Sequence, residues 1–248
     1  MKIVVTGGNG LLGSSIANYL ADSYEVISVD KSAPGFAKNS NITYVAVDLS
    51  ISQSVPIIAE IRPAVIIHCA ALIPVATGHL TDQDAYITNC SIDKNVVKAA
   101  RETNSYLIYT SGTNVYGFKE NDYNVTEENL TVITDLYSRV KIESEILIKE
   151  TLNKYLILRI NAPYGGHTTN QTVLAIFCDL AKQNKPLLYH GSGARMQDFT
   201  HVNDISNLIY SQLESKIFTN GVFNISCGKP ISMMNLAKLI VHTCESNS

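Results

Sequence analysis

The sequence has no long apolar run and no surplus of basic residues. None of its hydrophobic stretches approaches the roughly 18 residues that a membrane-spanning helix needs, and its first residues already show a strand pattern, which leaves no room for a cleaved signal peptide. The net charge is −3 with acids and bases interspersed, which argues against contact with nucleic acid or a membrane surface. We therefore expect a cytoplasmic protein.

Cysteines are few and form no pattern. Their number is odd and no two of them make a C-x-x-C pair; they are Cys69, Cys90, Cys178, Cys227 and Cys244. This distribution is typical of reduced, mostly buried thiols, so we expect neither a disulfide framework nor a metal site. Repeats and low-complexity segments are missing as well.

A glycine-spaced stretch near the start links a short apolar strand to a helix. Gly7, Gly10 and Gly13 recur every third residue, and Gly8, Gly10 and Gly13 satisfy the G-x-G-x-x-G spacing of dinucleotide-binding folds. One glycine lets the chain reverse, one lets bare backbone approach a pyrophosphate, and Gly13 lets the helix pack closely on the strand. The helix N-terminus then faces the phosphates with unpaired N–H groups. The stretch predicts a dinucleotide site.

An acid, Asp30, ends the second strand at 26–30, near the interval after the glycines that is typical of a ribose-binding carboxylate. A carboxylate there accepts the ribose hydroxyls and repels a 2′-phosphate, so NAD is preferred over NADP. Lys31 weakens that preference slightly. The alternative is an acid that only caps a strand end.

Strands and helices alternate through the first 160 residues. Strand patterns at 42–47, 64–68 and 106–111 are separated by helical patterns at 51–61 and 81–104. This order predicts an α/β fold, a doubly wound parallel sheet of the Rossmann type. With 248 residues, 46% of them hydrophobic, the chain can bury a large core.

Beyond residue 160 the alternation loosens. We predict a Rossmann domain over 1–160 and a small irregular substrate lobe over 161–248 that is partly interleaved with the sheet. The tail patterns indicate helices near 173–183, after 202 and from 232, and strands near 186–190 and 222–226. His190 and His201 could bind a substrate phosphate, but structural or surface roles are the more common ones for histidine.

Polar residues follow the fifth strand, where ligands bind in open α/β sheets. Ser111, Thr113 and Asn114 are therefore candidate site residues. On the next helix, Tyr137 and Lys141 stand at i and i+4, which places phenol and ammonium on one face. A neighbouring cation favours the phenolate, so the pair can exchange a proton near neutrality.

In order and spacing these features resemble the extended short-chain dehydrogenases/reductases of the NAD-dependent epimerase/dehydratase group, which act on nucleotide sugars. The resemblance covers nearly the whole chain. Its landmarks are Thr6 to Gly13, Asp30, Asp48-Leu49, His68 to Ala71, Asn89, Thr110 to Gly117, Tyr137, Lys141, Arg159 to Gly165 and Gln197 to Asp204.

The resemblance implies a role for each group of residues. Tyr137 would be the general acid/base, with Lys141 holding the nicotinamide ribose and favouring the phenolate, and the reaction would pass through a transient ketosugar. The helices at 81–104 and 135–153 would pack against their copies in a homodimer. The implied NAD-binding residues are Gly7, Gly10, Leu11, Leu12, Gly13, Asp30, Lys31, Asp48, Leu49, Cys69, Ala70, Ala71, Asn89, Tyr137 and Lys141.

Three departures bear on the site. Gly112 stands where the family has a catalytic Ser or Thr, which leaves Ser111 or Thr113 to supply the hydroxyl. The usual Asn before Tyr-Gly is displaced by one position, to Asn161. The usual Arg beside Asp-Phe is Gln197, so the substrate-binding candidates are Asn114, Asn161 and Arg195.

Two alternatives to an epimerase or dehydratase stay open from the sequence. One is an NAD(P)-dependent ketosugar reductase, which runs only the reducing half of the reaction. The other is a dinucleotide-binding protein with little turnover. This alternative stays open because Gly112 has no hydroxyl to contribute to catalysis.

Overall fold

The computed structural model describes residues 1–35, 38–73, 81–117, 125–165, 172–189 and 191–245. The strands are β1 (Lys2–Thr6), β2 (Glu25–Asp30), β3 (Ile42–Ala46), β4 (Val65–His68), β5 (Tyr106–Gly112), β6 (Tyr155–Ile160), β7 (Pro163–Tyr164), β8 (Met196–Gln197), β9 (Thr200–His201), β10 (Gly221–Ile225) and β11 (Ile231–Ser232). The helices are α1 (Leu11–Leu20), α2 (Ser54–Ile61), α3 (Asp82–Thr103), α4 (Leu136–Thr151), α5 (Val173–Lys182), α6 (Val202–Glu214) and α7 (Met233–Thr243), and a short 3-10 turn covers Thr113–Tyr116.

Seven strands form one sheet in the order β10-β6-β5-β4-β1-β2-β3. Every pairing is parallel. Strands β1, β4 and β5 are buried on both faces, which is why their sequences are continuous apolar runs rather than alternating patterns. The predicted doubly wound parallel sheet is confirmed.

Helices cover both faces of the sheet, and each face has its own apolar core. On one face, Ile16 and Leu20 of α1 and Ile205 and Ile209 of α6 share a cluster with the strands. On the other, α2, α3 and α4 contribute residues such as Ile58, Val96 and Ile148. The carboxyl ends of the strands are left between the two layers.

The tail contributes to both the sheet and a separate small cluster. β10 pairs with β6 at the edge of the sheet, while α5 and α7 pack around Phe177, Met233 and Leu236. Residues 186–189 form no strand, so the predicted strand at 186–190 is wrong over that part, and His190 lies outside the described residues. The division at residue 160 stays a prediction. Among the helices described, none is long and apolar enough to cross a membrane.

Candidate functional site

The predicted site residues gather at the carboxyl-terminal side of the sheet, because parallel strands all end on the same side. Gly7 follows β1 and Asp30 ends β2; Ala70 follows β4, Gly112 ends β5 and Asn161 follows β6. In doubly wound sheets, ligands bind beyond the carboxyl ends of the strands, at the point where the strand order reverses.

The glycine loop packs closely through its backbone. Gly7 adopts φ +70°, and its N–H donates to the carbonyl of Val29 at 2.9 Å. A Cβ at Gly7 would lie 2.6 Å from the backbone nitrogen of Ala70, and one at Gly13 would collide with the carbonyl of Gly7. α1 then begins after Gly10, which offers no side-chain cap. The loop is therefore a close backbone cradle that leads into a helix N-terminus, and it fits the pyrophosphate of NAD.

Asp30 lies beside this cradle with both carboxylate oxygens in use. Oδ2 accepts the N–H of Asn9 at 3.0 Å and Oδ1 accepts that of Lys31 at 2.7 Å. The Lys31 ammonium itself lies 3.0 Å from Asp48 Oδ2. Hydrogen bonds from the hydroxyl and N–H of Ser50, and then Lys31, lower the pKa of Asp48 to about 2. Asp30 thus fixes the start of the loop through both carboxylate oxygens.

Asn89 holds the segment after β4. Its Oδ1 accepts the N–H of Leu72 at 2.7 Å and its Nδ2 donates to the carbonyl of the same residue at 2.9 Å. Burial raises the pKa of the Cys69 thiol to about 12, so Cys69 stays neutral beside Ala70. This segment therefore borders the cradle through backbone and small apolar groups.

Tyr137 lies in the first turn of α4, which a capping box fixes. The N–H of Ser138 donates to Asp135 Oδ1 at 2.6 Å, and the N–H of Asp135 donates to Ser138 Oγ at 3.0 Å. Tyr137 borders a cavity of about 300 Å³, a volume within the range of small-ligand sites. The other lining residues are Ile73, Asp82, Ala85, Tyr86, Asn89, Asp135 and Leu136.

Lys141 lies buried behind Tyr137. Its Nζ donates to the carbonyl of Thr110 at 3.0 Å and lies 4.7 Å from the ring centroid of Tyr109 and 5.8 Å from that of Tyr137. The structure therefore brings the predicted phenol and ammonium together, with the ammonium fixed by the backbone of β5.

The two hydroxyls proposed to replace the missing one at Gly112 are both engaged inside the protein. Ser111 is buried and donates to Glu145 Oε1 at 2.7 Å. Thr113 donates to Asn161 Oδ1 at 3.2 Å. Each hydroxyl has a single proton, so neither is left to donate to a ligand in this arrangement.

Glu145 was missed at the sequence level, and Arg159 was noted only as a landmark of the resemblance, without this partner. The Arg159 guanidinium binds it through Nε and Nη2, at 3.0 Å to Oε1 and 2.6 Å to Oε2. Arg159 also donates to the hydroxyl of Tyr116 at 2.7 Å. Glu145 follows Lys141 by four residues. The same i, i+4 spacing that predicts Tyr137 and Lys141 on one helix face therefore predicts Glu145 on that face as well.

A second buried network lies near Lys141, around Asp93 of α3. Asp93 accepts from His68 Nε2 at 2.9 Å, from the Tyr109 hydroxyl at 3.0 Å and from the Ser144 hydroxyl at 2.5 Å. Thr6 Oγ1 bonds the other ring nitrogen of His68 at 2.7 Å. Burial acts to raise the pKa of Asp93, but these bonds, chiefly with His68, hold it below its usual range. The network ties β1, β4 and β5 to α3 and α4.

The polar residues of the tail make local contacts. Arg195 is exposed, with Nη2 3.4 Å from Gln197 Oε1. His201 caps α6 by accepting the N–H of Asn203 at 3.2 Å, a structural role. His190 lies outside the described residues. Among the residues that the structure describes, no three side chains of His, Cys, Asp or Glu cluster as metal ligands.

Known proteins resemble this chain in sequence and in fold. CDP-paratose 2-epimerase of Salmonella typhi is 27% identical over 99% of this chain and 85% of its own length. The beta subunit of methionine adenosyltransferase 2 from Xenopus laevis is 24% identical over 87% of this chain and 63% of its own. UDP-glucose 4-epimerase of Thermotoga maritima has the same fold, with a TM-score of 0.89 at 24% identity over 100% of this chain and 84% of that one.

The family match runs from β1 to just beyond β10. The NAD dependent epimerase/dehydratase family matches over residues 3–226, which include the glycine cradle, Asp30, Tyr137 and Lys141. NAD is therefore the cofactor of the site, and the chain belongs to the NAD-dependent epimerase/dehydratase family of enzymes.

Proposed function

We propose that this enzyme acts on a nucleoside-diphosphate sugar through a transient ketosugar, as an epimerase or dehydratase. The observation that carries the proposal is the position of Tyr137, which faces the cavity with the buried Lys141 ammonium 5.8 Å from its ring. Two of the similar proteins support the substrate class, since they are named as a CDP-paratose 2-epimerase and a UDP-glucose 4-epimerase.

The protein's part in the reaction is proton transfer and positioning. Bound NAD would supply the redox chemistry, because its nicotinamide can accept a hydride and return it. Tyr137 takes the proton of the hydroxyl on the carbon that is oxidised and gives it back when the ketone is reduced. Lys141 stabilises the phenolate, and the carbonyl of Thr110 holds its ammonium in place. Asp30 accepts the adenosine ribose hydroxyls, while Lys31 is paired with Asp48.

A second function has support from two observations. Gly112 offers no hydroxyl, and the relative from Xenopus laevis is named as a subunit of another enzyme. A protein that binds NAD with little turnover, as a sensor or assembly subunit, is therefore the competing proposal.

Turnover of defined sugars separates the two. The protein is mixed with NAD and a panel of nucleoside-diphosphate sugars, and products and reduced cofactor are measured. We expect one sugar to be converted, and Tyr137→Phe to lower kcat about 10²–10⁴-fold with NAD affinity little changed, because it removes only the proton carrier. If the only reaction observed is the reduction of a ketosugar by NADH, the protein is instead a reductase.

The matched control is Tyr19→Phe, which removes the hydroxyl of an exposed tyrosine on α1 that bonds Asn207. It is expected to leave kcat unchanged. Tight NAD binding without turnover of any sugar would overturn the enzyme proposal in favour of the binding subunit.

We also propose a cytoplasmic homodimer that packs through α3 and α4. Ile87 of α3 is 54% exposed and Ile146 of α4 is 49% exposed, so each helix carries an apolar side chain on its outer face. The five cysteines are free, as suits a reducing compartment. Light scattering is expected to give twice the chain mass, and Ile87→Glu with Ile146→Glu to give the monomer. A monomeric wild type would refute the dimer.

A further inference from the structure

Lys141 is a buried cation that is bonded to a neutral group. It is 4% exposed, and its one hydrogen bond within the described residues goes to the carbonyl of Thr110, at 3.0 Å. Burial favours the neutral form of an ammonium, because the charged form loses its hydration. A neutral amine would not favour the phenolate of Tyr137. The proposed chemistry therefore needs a group that keeps Lys141 protonated.

The ring of Tyr109 covers this ammonium. Lys141 Nζ lies 4.7 Å from the ring centroid, within the range of a cation–π contact. The hydroxyl of the same ring donates to Asp93 Oδ2 at 3.0 Å. Burial raises the pKa of Tyr109 well above its usual range, so the phenol stays neutral and keeps its proton to donate. Tyr109 thus links the ammonium to a buried carboxylate.

Asp93 carries a negative charge inside the protein. Its side chain accepts hydrogen bonds from His68, Tyr109 and Ser144, and the residue is 2% exposed. Burial acts to raise the pKa of Asp93, but the hydrogen bond from His68 and then the charge of Lys141 hold it below its usual range. The carboxylate is therefore ionised at neutral pH and lies close enough to Lys141 for the two charges to interact.

His68 binds this carboxylate without neutralising it. Thr6 is fully buried, and within the described residues its hydroxyl has His68 Nδ1 as its partner, at 2.7 Å. The hydroxyl proton needs an acceptor, and Nδ1 is one only when it carries no proton. The imidazole is then neutral, and its Nε2–H donates to Asp93 at 2.9 Å. Asp93 is thus an anion held by neutral donors.

The other titratable groups around Lys141 are neutral or paired. Cys69, after β4, is a neutral thiol because burial raises its pKa to about 12. Glu145, one turn further along α4, is compensated by Arg159 of β6, whose Nη2 lies 2.6 Å from its carboxylate. The ring of Tyr137 lies 5.8 Å from Lys141 Nζ. Among the described residues, Asp93 is therefore the anion left to balance the ammonium.

We infer that Asp93 is a positioning residue for the reaction, which keeps the Lys141 ammonium charged through Tyr109. Its negative charge offsets the cost of burying the ammonium. The Tyr109 ring passes on part of this effect, because a phenol that donates to a carboxylate has a more electron-rich face for a cation. The inference rests on the proposed function for its catalytic meaning, since a charged Lys141 is what favours the Tyr137 phenolate. The charge itself can be measured without turnover.

Asp93→Asn removes the charge and keeps the shape. Its amide can make the same contacts if His68 and Thr6 exchange donor and acceptor roles. NMR of the chain with lysine isotope-labelled at Cε follows the loss of the proton, and the Lys141 signal is identified by its absence in Lys141→Met. We expect the midpoint of this titration to fall by at least about one pH unit in Asp93→Asn, and the alkaline limb of the kcat profile to move with it.

The matched control is Ser144→Ala, which removes one hydrogen bond to Asp93 and leaves its charge. It is expected to move the midpoint by less than about 0.3 pH unit. If urea unfolding shows that Asp93→Asn does not fold, Tyr109→Phe decides instead, because it keeps the ring over Lys141 and removes the bond to Asp93. Its midpoint is expected to fall by about half a pH unit.

Every other outcome is decisive. An unchanged midpoint in the folded variant would overturn the inference, and so would an equal fall in Ser144→Ala, which would make packing rather than charge the cause. A lower midpoint with an unmoved kcat limb would show that the reaction does not depend on this charge, and would overturn the positioning role. A lower midpoint in a chain whose wild type converts no sugar would overturn the proposed function, while Asp93 would still be the group that keeps Lys141 charged.

Discussion

Lys31 and Lys141 are the same residue type with different partners, and the partners decide what each charge does. Lys31 follows Asp30, the acid predicted to bind the adenosine ribose, where an unpaired ammonium would attract the 2′-phosphate of NADP. Its Nζ is instead 3.0 Å from Asp48, whose carboxylate also accepts the Ser50 hydroxyl at 2.6 Å. Lys141 is 4% exposed and its Nζ donates to the carbonyl of Thr110, so its charge is held inside the protein, 4.7 Å from the ring centroid of Tyr109 and 5.8 Å from that of Tyr137. The preference for NAD over NADP stays a prediction that this pairing supports.

The low pKa of Asp48 gives a prediction on stability. Its folded value of about 2 lies below the ordinary 3.8, so the carboxylate stabilises the fold above about pH 4, and this contribution is lost as pH falls towards 2. Asp48→Asn is expected to lower the free energy of unfolding, measured in urea, by about 1 kcal/mol at pH 7. The loss is smaller than the full pKa shift would give, because partial solvent exposure screens the charge of Asp48. The deficit should shrink by pH 3. Asp22→Asn, at an exposed acid, is the control, and a deficit independent of pH would contradict the assignment.

At the scale of elements, α4 shows what the sequence can predict. Periodicity along one helix placed Tyr137 and Lys141 on one face, and the structure has them there. The same period reaches Glu145, but its buried carboxylate is paired with Arg159 of β6, and that pairing is made by tertiary packing. Local spacing was therefore predictable, whereas partners from distant strands were not.

The error at 186–190 has a related cause. The segment is a short run of apolar residues, of which Leu187 packs against the small cluster of α5 and α7 while Leu188 is 82% exposed. A short apolar segment becomes a strand only where a sheet edge is available to pair with it, and the described residues 186–189 pair with none. The sequence pattern contains no information about that edge.

The Glu145–Arg159 pair ties α4 to β6, and a double-mutant cycle measures it. Glu145→Leu leaves the guanidinium buried and uncompensated, so we expect a loss of about 3–5 kcal/mol in the free energy of unfolding, and the same for Arg159→Met. The double variant should lose clearly less than the two losses added together, because it leaves no buried charge. Losses that simply add would show that the ion pair does not couple these elements.

At the scale of the whole molecule, the tail completes the sheet rather than following it. β10 covers the edge of β6, and α6 packs on α1 through Ile205, Ile209 and Leu213. Both elements come after residue 160, where the regular alternation of the sequence ends. A domain boundary drawn on alternation alone therefore separates α1 from a helix with which it shares a core.

This arrangement predicts that residues 1–160 do not fold alone, although they carry the glycine loop, Asp30, Tyr137 and Lys141. Removing α6 leaves the apolar face of α1 in water, and the three α6 side chains alone account for about 5–9 kcal/mol of burial, as much as the net stability of many domains. The fragment is expected to show no cooperative unfolding and no NAD binding by calorimetry. In the full chain, Ile209→Ala should lose only about 2–5 kcal/mol and keep NAD binding. A 1–160 fragment that unfolds cooperatively and binds NAD would show that α6 and β10 are dispensable and that the boundary at 160 is a true one.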